Sequence, residues 1–167
     1  MIKLFLLPIF LLQMGLVQAN PILSFVQKKH PLCQIKAQPF FFTKKELAHL
    51  QKVSQIDIQS RMGRRYLVYC DKKPAIYAYI DSRIVRTLNQ TLLIEIAQNI
   101  SQIDIFDFME PPEYRPPTKW LQKAIGQNKK IRLDALSGAT MTTQATNASI
   151  NKIITIHQYL SKNANKL

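Results

Sequence analysis

The spacing of hydrophobic positions changes repeatedly along the chain, and each change marks an element. Leu4 to Val17 is a nearly continuous apolar run. Residues 20–42 are punctuated by Pro21, Pro31 and Pro39 and end in Phe40-Phe41-Phe42, which predicts an extended segment. Thr43 followed by Glu46 is a capping box, and Leu47, Leu50 and Val53 recur at helical spacing, so a helix is predicted over 44–54. From residue 64 the period shortens. Tyr66 to Cys70 is β-rich, Asp71 to Pro74 is a turn, Ala75 to Ile80 is a strand, and Asp81-Ser82-Arg83 reads as another turn. Strands are expected over Ile84–Leu88, Gln90–Ala97 and Ile103–Phe108.

Glu110 to Pro117 holds four prolines and can form neither a helix nor a central strand. Thr118 is expected to cap a short helix bearing Trp120, Leu121, Ala124 and Ile125 and closed by Gly126. Ile131-Arg132-Leu133 reads as a short strand. A long helix is predicted from near Thr140, with Ala145, Ile153, Ile156 and Leu160 on one face, Ile150 and Ile154 widening it, and Lys152 and Gln158 off it. The class is α+β: an antiparallel meander with a helix before it and a long C-terminal helix after it.

Lys3, the short apolar run and Val17-Gln18-Ala19 have the layout of a secretory signal peptide cleaved after Ala19. The run is too short to cross roughly 30 Å of hydrocarbon as a helix. The mature product is then a single exported, soluble domain over residues 20–167. Of the 167 residues, 47% are hydrophobic, which excludes a disordered tail. Export places Cys33 and Cys70 in an oxidising space, where either a disulfide or two separate thiols is permissible. Two Cys and three scattered His do not make a metal centre.

Asp134-Ala135-Leu136-Ser137-Gly138-Ala139-Thr140 lies between the expected short strand and the long helix. Gly138 permits a positive φ and close approach of another molecule. Ser137 and Thr140 place hydroxyls on either side of Gly138-Ala139. The first turn of a helix offers unpaired N–H groups and the positive end of the dipole, a geometry that suits a phosphate. The same residue types also serve as an ordinary helix cap. A P-loop does not fit, since no Gly-Lys-Ser/Thr follows.

This segment resembles the flavinylation motif D-x-x-S/T-G-A-T of the FMN-binding domain family. That family includes the flavin-carrying subunits of sodium-pumping NADH:quinone reductases and of related ferredoxin-linked complexes, as well as small exported flavoproteins. The resemblance implies that Thr140 carries FMN through a phosphoester made by a separate flavin transferase from FAD with Mg²⁺. It further implies that Asp134, Ser137, Gly138 and Ala139 fill the other motif positions. The looser likeness covers roughly residues 64–157. Family members often carry a Glu-Thr-Pro-Gly loop near the flavin, and the counterpart here is Glu110-Pro111-Pro112-Glu113-Tyr114, without Gly. No membrane span follows the signal peptide, which favours a free-standing periplasmic carrier over a pump subunit.

Glu110, Glu113 and Tyr114 are therefore candidates to line the flavin ring, with Tyr114 or Trp120 stacking on it. The other reading is a Pro-rich surface loop with one aromatic packed on the core. No catalytic base or nucleophile is recognisable. The net charge of +13 fits docking to an acidic redox partner or an anionic membrane, or simply a solvated basic surface. Export disfavours nucleic acid. Two main functions follow: an electron carrier with covalent FMN, or a cofactor-free exported binding module whose Ser-Gly-Ala-Thr is only a cap. A flavin-bearing reductase with its own substrate ranks behind both.

Overall fold

In the computed structural model, which describes residues 20–163, five antiparallel strands follow one another in chain order across a single sheet. They are β1 (Gln34–Phe41), β2 (Met62–Tyr69), β3 (Ile76–Ile84), β4 (Asn89–Ile96) and β5 (Ile100–Phe108). Helix α1 (Pro21–Lys29) precedes the sheet, α2 (Lys44–Ser54) joins β1 to β2, the short α3 (Thr118–Leu121) follows β5, and α4 (Thr140–Lys162) ends the described chain. This is the expected α+β meander with its long final helix. The predicted signal peptide lies outside the described residues. No helix among the described residues is long and apolar enough to cross a membrane.

Alternation along the strands sorts side chains onto two covered faces. Tyr79, Leu92, Ile94 and Ile103 pack against Leu50 of α2 and Ile150, Ile153 and Ile156 of α4. Ala78, Leu93, Tyr66 and Val68 point the other way, onto Val26 of α1. With both faces covered, β4 is buried nearly throughout, and Leu92, Leu93 and Ile94 form an unbroken apolar run at its middle. Pro39 is tolerated because β1 is an edge strand. Gly63 is required opposite Phe40, since a Cβ there would lie 2.2 Å from the ring.

Several expectations need correction. Residues 20–42 are not all extended: Pro21–Lys29 is helical, with the Asn20 side chain accepting from the N–H groups of Ile22 and Leu23. Pro21 marks the first helical position, where no N–H is needed. The end of α1 is tied to the sheet through Lys29 and His30, which both meet the buried Glu95. Asp81-Ser82-Arg83 is not a turn, and 84–88 is not a strand. β3 runs through to Ile84, paired with Asn89, and residues 85–88 form the reversal. Asp81 stays in the strand because it is buried with two cations: it accepts from Arg83 Nε at 3.0 Å and from Lys152 Nζ at 2.5 Å.

Residues 131–133 are not a strand either. Asn151 of α4 accepts from the Ile131 N–H and donates to its carbonyl, and Asn147 does the same for Leu133. Two helix side chains thus satisfy the backbone that a neighbouring strand would otherwise pair. Thr118 is the first residue of α3, and Pro117 occupies the cap position. The capping box at Thr43 and Glu46 is present as read, and Glu46 also accepts from the Tyr159 hydroxyl of α4 at 2.6 Å. Cys33 and Cys70 are joined in a disulfide that closes the open end of the β1–β2 pair, just beyond Gln34 and Tyr69.

Between α4 and the sheet lies a polar knot. His157 Nδ1 meets the Tyr79 hydroxyl at 3.0 Å, and the buried Arg65 donates to Gln38 at 2.8 Å. Burial, helped by the Arg65 charge, lowers the His157 pKa from 6.5 to about 4. Folding therefore favours the neutral imidazole. Its contribution to stability is complete above pH 6.5 and is lost as the pH falls toward about 4. The urea midpoint of the wild type should fall between pH 7 and pH 5, and His157→Gln should show a clearly shallower fall. Equal slopes in the two proteins would remove His157 from this role.

Candidate functional site

Three threonines near the start of α4 divide the local hydrogen bonding. Thr143 Oγ1 accepts from the Leu136 N–H at 3.0 Å and donates to the Ala139 carbonyl at 3.2 Å, folding the loop back on the helix. Thr142 Oγ1 donates to the Tyr114 carbonyl at 2.9 Å and fastens the Pro-rich loop beside it. Thr140 is exposed, and its hydroxyl has no hydrogen-bond partner among the described residues.

The helix is also uncapped by any side chain. Its cap position is Ala139, and neither Ser137 nor Thr140 bonds the first turn. The first backbone bond of α4 runs from the Thr143 N–H to the Ala139 carbonyl, so the N–H groups of Thr140, Met141 and Thr142 have no intrahelical acceptor. Gly138 holds φ +74°, which turns the chain into the helix and leaves open space where a side chain would stand.

A cavity of about 250 Å³ opens at this helix end. Gly138, Ala139, Thr140 and Thr142 form one side, and Arg86 and Tyr114 form the other. The Arg86 guanidinium lies 4.6 Å from the centre of the Tyr114 ring. Such stacking favours a cation held over an aromatic face and leaves its edge free to bind an anion. The cavity therefore combines unpaired N–H groups, the positive helix end, one guanidinium and one free hydroxyl.

Of the residues singled out in the sequence, Thr140, Ala139, Gly138 and Tyr114 meet at this cavity. Ser137 is exposed in the preceding turn and does not line it. Asp134 stands apart at the surface, where Lys123 Nζ meets it at 2.9 Å. The Lys123 hydrogen bond and charge hold its carboxyl below the usual range. Exposed pairs of this kind contribute little stability. Trp120 is buried in the core and donates to the Asp134 carbonyl at 3.0 Å, which excludes it from stacking in the cavity.

Glu110 does not line the cavity but builds its far wall. Its Oε1 accepts from the backbone N–H groups of Arg86, Thr87 and Leu88 at 2.9, 2.7 and 2.9 Å. One carboxylate oxygen thus organises the β3–β4 reversal from which Arg86 projects. The sequence pattern does not mark Arg86, because residues 84–88 have the composition of a strand. The signal was a lone acid before a Pro-Pro pair, whose partner only the fold reveals.

The chain matches no family model, no curated protein and no solved structure.

The Leu88 and Thr87 N–H groups, with that of Arg86, hold the Glu110 carboxyl below its ordinary 4.5 against the opposing effect of burial. A lowered folded-state value adds stability above pH 4.5 that is lost as the pH falls through the folded value. Glu110→Ala should lower the thermal midpoint at pH 7 and narrow the gap from wild type as the solution is acidified below pH 4.5. A constant gap across that range would show that the charge is not what holds the turn.

Proposed function

We propose that this chain is an exported electron-transfer flavoprotein that carries FMN on Thr140 through a phosphoester. The observation that carries the reading is the free, exposed Thr140 hydroxyl at the side-chain-uncapped start of α4, facing Arg86 across a small cavity. The residues present fit a phosphate group. The unpaired N–H groups of Thr140, Met141 and Thr142 supply donors, the helix supplies partial positive charge, and Arg86 supplies a full one. The resemblance of residues 134–140 to the flavinylation motif names the same atom.

Maturation is a phosphoryl transfer. Thr140 Oγ1 forms a bond to the FMN phosphorus of FAD, the pyrophosphate bond breaks, AMP leaves, and the hydroxyl proton passes to a base of the flavin transferase. Gly138 and the exposed Ser137 leave that enzyme room to reach Thr140. Asp134, at the surface, is offered to it as a recognition point. When bound, the flavin supplies the electron chemistry, and the chain anchors and shields it. The Cys33–Cys70 disulfide suits the oxidising compartment that the amino-terminal signal implies. The positive charge favours encounter with an acidic redox partner. The alternative is a cofactor-free exported binding module; the absence of a side-chain cap bond from Ser137 or Thr140 favours the flavin reading over it.

Intact mass under denaturing conditions, after co-expression with a flavin transferase, tests the proposal. The wild type should gain one FMN less one water and stay yellow. Thr140→Val should fold and gain nothing, while Ser137→Ala and Asp134→Ala should be modified less completely. An unmodified wild type, or flavin retained by Thr140→Val, would overturn the assignment.

A further inference from the structure

A second, larger groove of about 660 Å³ runs from the start of α4 toward the middle of that helix. Met141, Ala145, Ala148 and Lys152 stand at successive turns of one face of α4 and form one wall. The small alanines leave this wall shallow; with Met141, Ile84 and Val85 they form an apolar stretch, and Ser82, Asn89 and Gln144 add polar groups around it. Met141 lines both this groove and the cavity at Thr140, so the two spaces adjoin. Lys152 lies twelve residues along α4 from Thr140, a rise of about 18 Å.

The deep end of the groove is polar and incompletely satisfied. Asp81, 3% exposed, is shared by Arg83 Nε and Lys152 Nζ, one on each carboxylate oxygen. Arg83 Nη2 is buried with no hydrogen-bond acceptor. A buried donor left in that state is costly and rare in folded proteins. Among the described residues, the one acid lining the groove, Asp57, is engaged by the amides of Gln51 and Gln59. The groove therefore has an apolar wall suited to a flat ring and a cationic end that lacks an acceptor.

We infer that this groove holds the ring of the flavin tethered at Thr140, with its dioxopyrimidine edge toward Arg83 and Lys152; the inference rests on the reading of Thr140 given above. The two carbonyl oxygens of that edge are planar acceptors of the kind an arginine fork recognises. The opposite, methylated edge of the ring accepts no hydrogen bond and suits the apolar stretch. Asp81 acts as a positioning residue, holding both cations at the wall.

Acrylamide quenching of flavin fluorescence in the flavinylated protein reads the ring's exposure directly. The wild-type ring should be protected relative to free FMN. Ala148→Trp fills the groove, and Arg83→Met removes the donor; both should take up FMN by mass yet lose that protection. A flavinylated wild type as quenchable as free FMN, or two variants as protected as wild type, overturns the groove assignment alone. If the wild type takes up no FMN, the reading of Thr140 fails, and riboflavin titrated into the unmodified protein decides the groove separately. Binding weakened about tenfold by Arg83→Met, the weight of one charge-assisted hydrogen bond, supports it. No binding, or binding indifferent to that change, overturns it.

Discussion

A single buried carboxylate, that of Asp81, ties the long helix to the sheet. It sits on β3 and takes one cation from its own strand and one from α4. Without Asp81, the Arg83 and Lys152 cations would face each other with no shared counter-charge. The constraint is also geometric. Lys152 can reach Asp81 only with α4 laid over the β3 side of the sheet. That placement brings the start of the helix beside the β3–β4 reversal and sets Thr140 opposite Arg86. The groove between α4 and β3 is the space left open beside that bridge.

Around this joint, side chains do work that backbone pairing does elsewhere. Asn147 and Asn151 stand in for a strand next to residues 131–133, and one Glu110 oxygen stands in for the partners of a whole reversal. Thr142 and Thr143 brace two loops against the helix end. Each satisfies polar groups that would otherwise be buried and unpaired. The result is a helix terminus rigidly placed from below, while its own N–H groups and one hydroxyl are left unused. Preorganised donors of this kind need no rearrangement to receive an anion.

The polar interior separates the two faces of the sheet in character. On the α1 face, Glu95 gathers Lys29 and His30 and docks the end of the first helix. On the α4 face, Arg65, Tyr79 and His157 fill the region where large aromatics meet the helix. Burial raises the Tyr79 hydroxyl to about 12 and keeps His157 neutral, so this knot holds hydrogen bonds without a titrating charge near neutral pH. The disulfide fastens the edge pair β1–β2 at its open end.

Local rules determined much of this protein directly. The period of the apolar residues marked α2 and α4 closely, the capping box at Thr43 set where α2 begins, and strand-rich runs with short turns implied the meander. The segment 134–140 was likewise legible as a place of interest, because its glycine and hydroxyls are local features. What the tertiary structure alone decided are the positions where a distant partner overrides local preference. Asp81-Ser82-Arg83 has the composition of a turn, yet it stays in β3 because Lys152, far along the chain, neutralises Asp81. Ile131-Arg132-Leu133 has the composition of a strand, yet its backbone bonds go to asparagines on α4. Arg86 became part of the site only through Glu110, and Arg83 only through the groove beside α4. Each is an electrostatic or hydrogen-bond debt settled across the fold, and a local pattern of hydrophobic and polar residues carries no record of its creditor.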